Sequence, residues 1–499
     1  MKNSLLLCVS ALLLTALLIS CGEAKTDAPV TTQAAAETAA TEIVTTEEPK
    51  LEPDLPERDF DGYEFRVLTK GVDNVHWKSK DIYTEEQNGE ALNDAVFERN
   101  SKVGEKYNFI ISEKITNNGT WNLYSDVRKT VLAGEDVYDM AAIGLATDIR
   151  NLAADGMLLD LHTIPYLDLT KPWYDQNANA QMSIANKLYA TVGDMVVMDD
   201  EATLVVLFNK KLAEEFGVGD LYESVRSGKW TLDVLHDAMI KSTADLDGDG
   251  QHTEFDQWGV IGESGNTYMY MASAGVSMIE KDAKDIPRFK LDNDRIYAAF
   301  EKAMSINGDF DYCMYASNFN SKYTNDVFGE CFDPAFSGNR VLFNTAGLVR
   351  VTVFRAMDTD FGLLPMPKFD EDQEEYRCAV SVGCANSITV PASATDPERT
   401  GIIIEALSAE SKYTVAPAFY ETTLRGKAIR DDESEETLDI ILGNRIFDLA
   451  QMYDWGTLVS SINTLTTNKS HDIASSIASN LPKAETALQT ALDAFEKLN

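Results

Sequence analysis

The sequence predicts an α/β protein with largely parallel sheets. Strand-like and helix-like stretches alternate from residue 63 to about residue 150, the pattern of a parallel sheet with helical crossovers. A fully apolar run, Leu204-Val205-Val206-Leu207-Phe208, opens directly into a helix-type stretch that ends at Gly217. With 44% hydrophobic residues over a length of 499, the chain can build two or three cored domains.

Residues 63–67 alternate as a half-buried strand does. Residues 88–107 place Leu92, Val96 and Val103 on one helical face, and a second strand follows at 109–112. A helix over 121–133 and a strand over 138–144 come next, with Thr147 and Asp148 in position to cap another helix. Ligands of such sheets sit beyond the carboxyl ends of the strands, on the loops. The β-type pattern continues past 188–192. Trp230-Thr231-Leu232-Asp233 reads as a helix start, with Thr231 as N-cap and Asp233 favourable in the first turn. Strands are expected at 341–347, at 361–367, where prolines stop it, and at 387–391. From about Pro397 the chain reads as mostly helical. Pro482 is expected to kink or split the last helix, near 473–498.

The N-terminus sets the compartment. Lys2 precedes an apolar core that runs from Leu5 to Ser20, as in a signal peptide. Leu18-Ile19-Ser20-Cys21 resembles a bacterial lipobox, in which the cysteine is lipidated and becomes the new N-terminus; Ile19 stands where a small residue is usual. The alternative is an uncleaved signal anchor. Residues 1–21 are thus expected as a lipoprotein signal peptide. Residues 22–57, rich in Thr, Ala and Glu, are expected as a flexible tether that cannot offset its ordering entropy. The protein is expected on the extracellular face of the bacterial cell membrane, as a monomer anchored through Cys21. The chain has 43 Lys plus Arg against 81 Asp plus Glu, a net charge of −38, which disfavours nucleic acid as a partner. Cys313, Cys331, Cys378 and Cys384 can pair as disulfides or stay as buried thiols. No CxxC pair and no HExxH motif points to zinc.

Several stretches, in order, resemble the extracellular solute-binding proteins of sugar ABC transporters, the maltose-binding-protein-like group. They are Lys187-Leu188-Tyr189-Ala190, then Val205 to Leu212 with Asn209-Lys210-Lys211, Gly217, and Lys229-Trp230-Thr231. Phe336 to Phe343 and Phe361-Gly362-Leu363-Leu364-Pro365-Met366-Pro367 complete the set. The resemblance implies a type II periplasmic-binding-protein-like fold, with two lobes, each a sheet flanked by helices, joined by hinge strands near 200–205 and 378–390 and by a crossing near 440–450. It implies lobe one at 58–202 plus 385–442 and lobe two at 203–384 plus 443–499. It also implies a carbohydrate, an oligosaccharide by expectation, held between lobes that close on it and delivered to an ABC permease.

Sugars offer apolar faces and polar rims, which aromatic rings and carboxylates suit. Candidate ligand contacts are Trp455 and Tyr453, between two helical stretches where this family often places a stacking aromatic, and Asp200 and Glu201 at the first hinge. Trp77 and Thr147 are further candidates, in the loops after the first and third strands. Trp173 and Tyr174 read as core. Gly347 is followed by Leu348, where sugar binders often carry a tryptophan. Asp245, Asp247, Asp249, Gln251 (through its carbonyl), Thr253 and Asp256 fit positions 1, 3, 5, 7, 9 and 12 of a calcium loop, with Gly250 at the turn. One such loop reads as a structural Ca²⁺ staple. No enzyme is expected. The competing functions are a secreted glycosidase working with two carboxylates and a binding or sensory lipoprotein without a permease.

Overall fold

The computed structural model describes residues 50–72 and 76–498. The signal peptide, Cys21 and residues 22–49 of the expected tether lie outside the described residues. Residues 50–57 run along the globule: the Leu51 amide donates to the Tyr413 hydroxyl (2.7 Å) and Leu55 packs on the core. These last residues of the stretch expected as tether are packed on the globule, because Leu51 and Leu55 find hydrogen-bonding and apolar partners.

Two sheets organise the protein. In the first, the order is Asn386–Thr389, Met140–Gly144, Tyr63–Thr69, Phe109–Ile115. The last three are parallel, with Val67 opposite Met140 and Tyr63 opposite Phe109. Tyr63–Thr69 is central, so Phe65, Val67 and Leu68 are buried. Asn386–Thr389 returns antiparallel on Met140–Gly144, with Ser387 opposite Ile143.

The second sheet has the order Phe361–Leu364, Leu204–Asn209, Val341–Gly347, Trp258–Gly262, Cys313–Tyr315. Leu204–Asn209 is covered on both sides, and all six of its residues are buried. This is why the run is apolar without alternation. Asn209 ends the strand and caps the helix Lys210–Glu215, accepting from the Leu212 amide. Thr231 caps Leu232–Lys241 as expected.

Three chain crossings join the sheets. The Ser381 amide donates to the Ala202 carbonyl (2.8 Å), and Cys378–Ala379 pairs in parallel with Arg445–Ile446. The first two fall where the resemblance placed them; the third passage lies earlier, between the helices Pro397–Ser411 and Asp432–Gly443, and Arg445–Ile446 is a strand beside the second crossing. The helix Asp432–Gly443, however, sits on the second sheet and not in the first lobe. Thr437 donates to the Leu363 carbonyl (2.6 Å), and Ser434 receives the Leu363 amide. The last helix, Ile473–Lys497, runs unbroken through Pro482. A buried stripe of Ile473, Ile477, Ala484, Leu488, Ala491 and Phe495 holds it, and its end reaches the first lobe, where Phe495 stacks on Tyr189 (5.3 Å). The helix expected over 121–133 begins at Tyr124, which leaves Trp121 on a loop. Asp148 does not cap its own helix; it accepts from the Gly144 and Tyr124 amides instead. Residues 188–192 contribute only a bridge, Thr191 to Ile388. Cys313, Cys331, Cys378 and Cys384 are free thiols.

Candidate functional site

The carboxyl ends of the parallel strands of both sheets lead into loops that meet beside the crossings. From the first sheet come Lys70 and the loop to Lys80 after Tyr63–Thr69, Trp121 after Phe109–Ile115, and Thr147 after Met140–Gly144. From the second come Glu263 after Trp258–Gly262 and Arg350 after Val341–Gly347. Cys384 lies between them on the returning crossing. The Cys384 thiol, its pKa raised by burial, feels the Lys70 ammonium, the Glu263 carboxylate and the Arg350 guanidinium.

The first loop spans the two lobes. Arg350 Nη1 lies 3.5 Å from His76 Nε2 and also pairs with Asp333 (2.7 Å). Burial, and then Arg350, lower the His76 pKa, which favours the neutral ring. The Trp77 ring packs against Gly347: a Cβ there would stand 3.2 Å from Trp77 Cη2 and 2.8 Å from the Glu201 carbonyl. The space beside Gly347 is thus filled from the opposite lobe. Lys80 pairs with Glu201 (2.5 Å).

Glu263 stands out among the groups on these loops. Its side chain is open to solvent yet surrounded by protein, so desolvation raises its pKa, opposed by Arg350. Among the described residues its carboxylate has no hydrogen-bond or ion-pair partner. Trp121 is 45% exposed, and its ring lies 4.9 Å from Lys70 Nζ. An exposed tryptophan held in place from behind is a stacking surface. Sequence reading missed both residues. Glu263 was one acid among many, and Trp121 was absorbed into a helix, although the rule that selected Trp77 and Thr147 also covers the loop after the second strand.

The other candidates are placed as follows. Thr147 is exposed at the start of its helix, at the cleft edge. Asp200 is buried, its oxygens taken by Arg445 and by the Tyr420 hydroxyl (2.7 Å). Glu201 is buried against Lys80. Partners from other elements thus already engage Asp200 and one oxygen of Glu201, while Glu201 Oε2 is buried without a hydrogen-bond partner among the described residues. Trp455 and Tyr453 stack on each other (4.7 Å, 6° between planes) and are largely buried. Trp455 sits on a turn where Asp454, Gly456 and Thr457 all have positive φ. A Cβ at Gly456 would be 2.4 Å from the Ala484 amide nitrogen, so glycine is required there. The turn lines a cavity of about 580 Å³ together with Arg150, Asp155 and Ser460. Trp173 and Tyr174 are core.

In the 245–256 loop the carboxylates of Asp245, Asp247 and Asp249 gather within 4.8 Å of one another. The Gly248 and Gly250 amides donate to Asp245, and the Asp249 and Gln251 amides to Asp247 and Asp249. The Asp256 carboxylate stands apart. It is buried and accepts from the Leu246 and Thr253 amides, closing the loop. Thr253 Oγ1 also donates to Asp256.

No protein-family profile matches the sequence, and no curated protein does either. Solved structures do. An ABC substrate-binding protein of Listeria monocytogenes, in complex with cycloalternan, is similar with a TM-score of 0.54 at 14% identity, over 88% of this chain and 99% of that one. The galacto-N-biose/lacto-N-biose I-binding protein of a Bifidobacterium longum ABC transporter is similar with a TM-score of 0.54 at 12% identity, over 88% and 98%. The maltose/maltodextrin-binding domain of Bdellovibrio bacteriovorus, bound to maltotriose, gives 0.51 at 14% identity, over 87% and 99%. These neighbours are binding proteins. Two helix-flanked sheets, three crossings and this likeness over most of its length show that the chain has the two-lobed fold of the sugar-binding proteins of ABC transporters.

Proposed function

We propose that this chain is a carbohydrate-binding lipoprotein that captures an oligosaccharide outside the cytoplasm and delivers it to an ABC permease, anchored through Cys21. The observation that carries the reading is the cleft's pairing of an open tryptophan face, Trp121, with an unpartnered carboxylate, Glu263. The ring suits the apolar face of a pyranose, and the carboxylate accepts its hydroxyls. The sugars bound by the three neighbours are of this chemistry. Thr147 at the cleft and Arg150 at the Trp455 cavity lie on one helix, about 4.5 Å apart along its axis. A ligand longer than one sugar unit would reach from one to the other. The Asp245, Asp247 and Asp249 loop is proposed to hold Ca²⁺ as a staple, with the Gln251 carbonyl as a further ligand.

A thermal-shift screen against mono- and oligosaccharides tests the function; no shift with any saccharide would sink it. Trp121→Ala is expected to weaken the best hit by about 1–3 kcal/mol, the range for a stacked aromatic. Trp455→Ala should weaken only the longer ligands if its cavity is a second subsite. Assaying the same sugars for hydrolysis tests the glycosidase alternative.

A further inference from the structure

Lys70 is a buried cation with no anion beside it among the described residues. It ends the central strand of the first sheet and is 1% exposed. Nζ donates to the Cys384 carbonyl (2.6 Å), lies 3.5 Å from the Met198 sulfur and sits over the Trp121 ring. Among the described residues no carboxylate comes within ion-pair distance of it. An ammonium held this way costs stability, since desolvating a charge is repaid only in part by a carbonyl and a π face. Its three contacts nonetheless tie together the parts that ligand capture must coordinate. Trp121 is the proposed stacking surface, Cys384 lies on the returning crossing, and Met198 directly precedes the first crossing.

We propose that Lys70 is a positioning residue of the cleft, whose ammonium holds the Trp121 ring in register with the hinge without touching the ligand. This rests on reading the cleft as the saccharide site. Cation–π attraction fixes the inner face of the indole and leaves the outer face for a sugar. The bond to Cys384 makes that face move with the crossing and not with the loop. Among the described residues, the charged and titratable groups facing Lys70 are Asp148 on the helix beyond the third strand, Asp81 on the first loop, and the Cys384 thiol. All three favour the ammonium, but burial outweighs them and brings its pKa down to about 8.

Lys70→Met keeps the stem and removes the charge, and Lys70→Arg keeps the charge. Lys70→Met is expected to fold, and to melt higher at neutral pH, because the desolvation cost is gone. With the best saccharide it should bind roughly 2- to 30-fold more weakly, the range of a cation–π contact, and Lys70→Arg should recover part of that loss. Affinity of the unmodified protein should fall as the solution passes from about pH 7 to about pH 9.5, where Lys70→Met should be flat. A ligand-free reading separates this from the function itself. Trp121 emission, taken as the difference from Trp121→Phe, should titrate near the Lys70 pKa and stop doing so in Lys70→Met. If it titrates while no saccharide binds, the contact stands and the ligand assignment fails. Equal affinity and pH profile in Lys70→Met, or a Trp121 emission that does not titrate, overturns the positioning role.

Discussion

Arg445→Met is expected to destabilise the protein by roughly 3–5 kcal/mol at neutral pH, the cost of leaving buried charges unpaired. Arg445, on the short strand beside the second crossing, is 9% exposed. Its guanidinium meets Asp175 of the first lobe (2.5 Å) and both Asp199 (2.9 Å) and Asp200 just before the first crossing. Tyr420 adds a hydrogen bond to Asp200. Three carboxylates around one cation leave the cluster short of positive charge. Burial, followed by the neighbouring Asp200, therefore raises the Asp199 pKa well above the usual range. Burial also raises that of nearby Asp194, to about 7.

The sign of the pH effect follows. A carboxyl whose folded pKa exceeds its unfolded value contributes stability that is complete below the unfolded pKa and lost as pH rises through the folded one. The unmodified protein should thus melt higher as pH falls from about 7.5 to about 5. Arg445 opposes these shifts, so Arg445→Met should be most harmful above neutrality and recover toward pH 5. Chemical denaturation of both proteins across this range checks it. A deficit independent of pH would mean that the arginine acts through packing alone.

If the aspartate-rich loop holds Ca²⁺ as proposed, removing the ion is expected to be the second large effect. A cation held at a thousand times its dissociation constant stabilises the folded state by about 4 kcal/mol. Chelation should therefore lower the melting temperature, and Asp247→Asn should mimic it, while the ranking of sugars stays the same. The loop joins Leu232–Lys241 to Trp258–Gly262, whose carboxyl end carries Glu263, so its loss loosens the strand from the end away from the cleft. Identical melting with calcium and with chelator would remove the ion from the account. A reversed sugar preference would show that the loop reaches the ligand.

Much of the fold was legible because its signals are local. The apolar run 204–208, the Asn209 and Thr231 caps, the proline-stopped strand at 361–364 and the βα alternation of the first lobe each depend on a few adjacent residues. The first two crossings followed from the resemblance; the third did not, because the helix Asp432–Gly443 is already held on the second sheet. Pro482 misled, because a proline's cost is local whereas the packing of Ile477, Ala484 and Leu488 that overrides it is not.

The site was harder to read. Asp200 and Glu201 looked like ligand acceptors because the partner of Asp200, Arg445, lies 245 residues away and that of Glu201, Lys80, 121 residues away. Glu263 was hidden by composition: among 81 acids nothing local marks one that lies on a loop at the carboxyl end of a strand. By itself the sequence determined an α/β chain of alternating elements, an acidic protein and an aspartate-rich loop, all properties of neighbouring residues and of composition. Only the tertiary structure decided which charges cancel and which face the cleft, because a carboxylate's role is set by the cation the fold brings to it, or withholds.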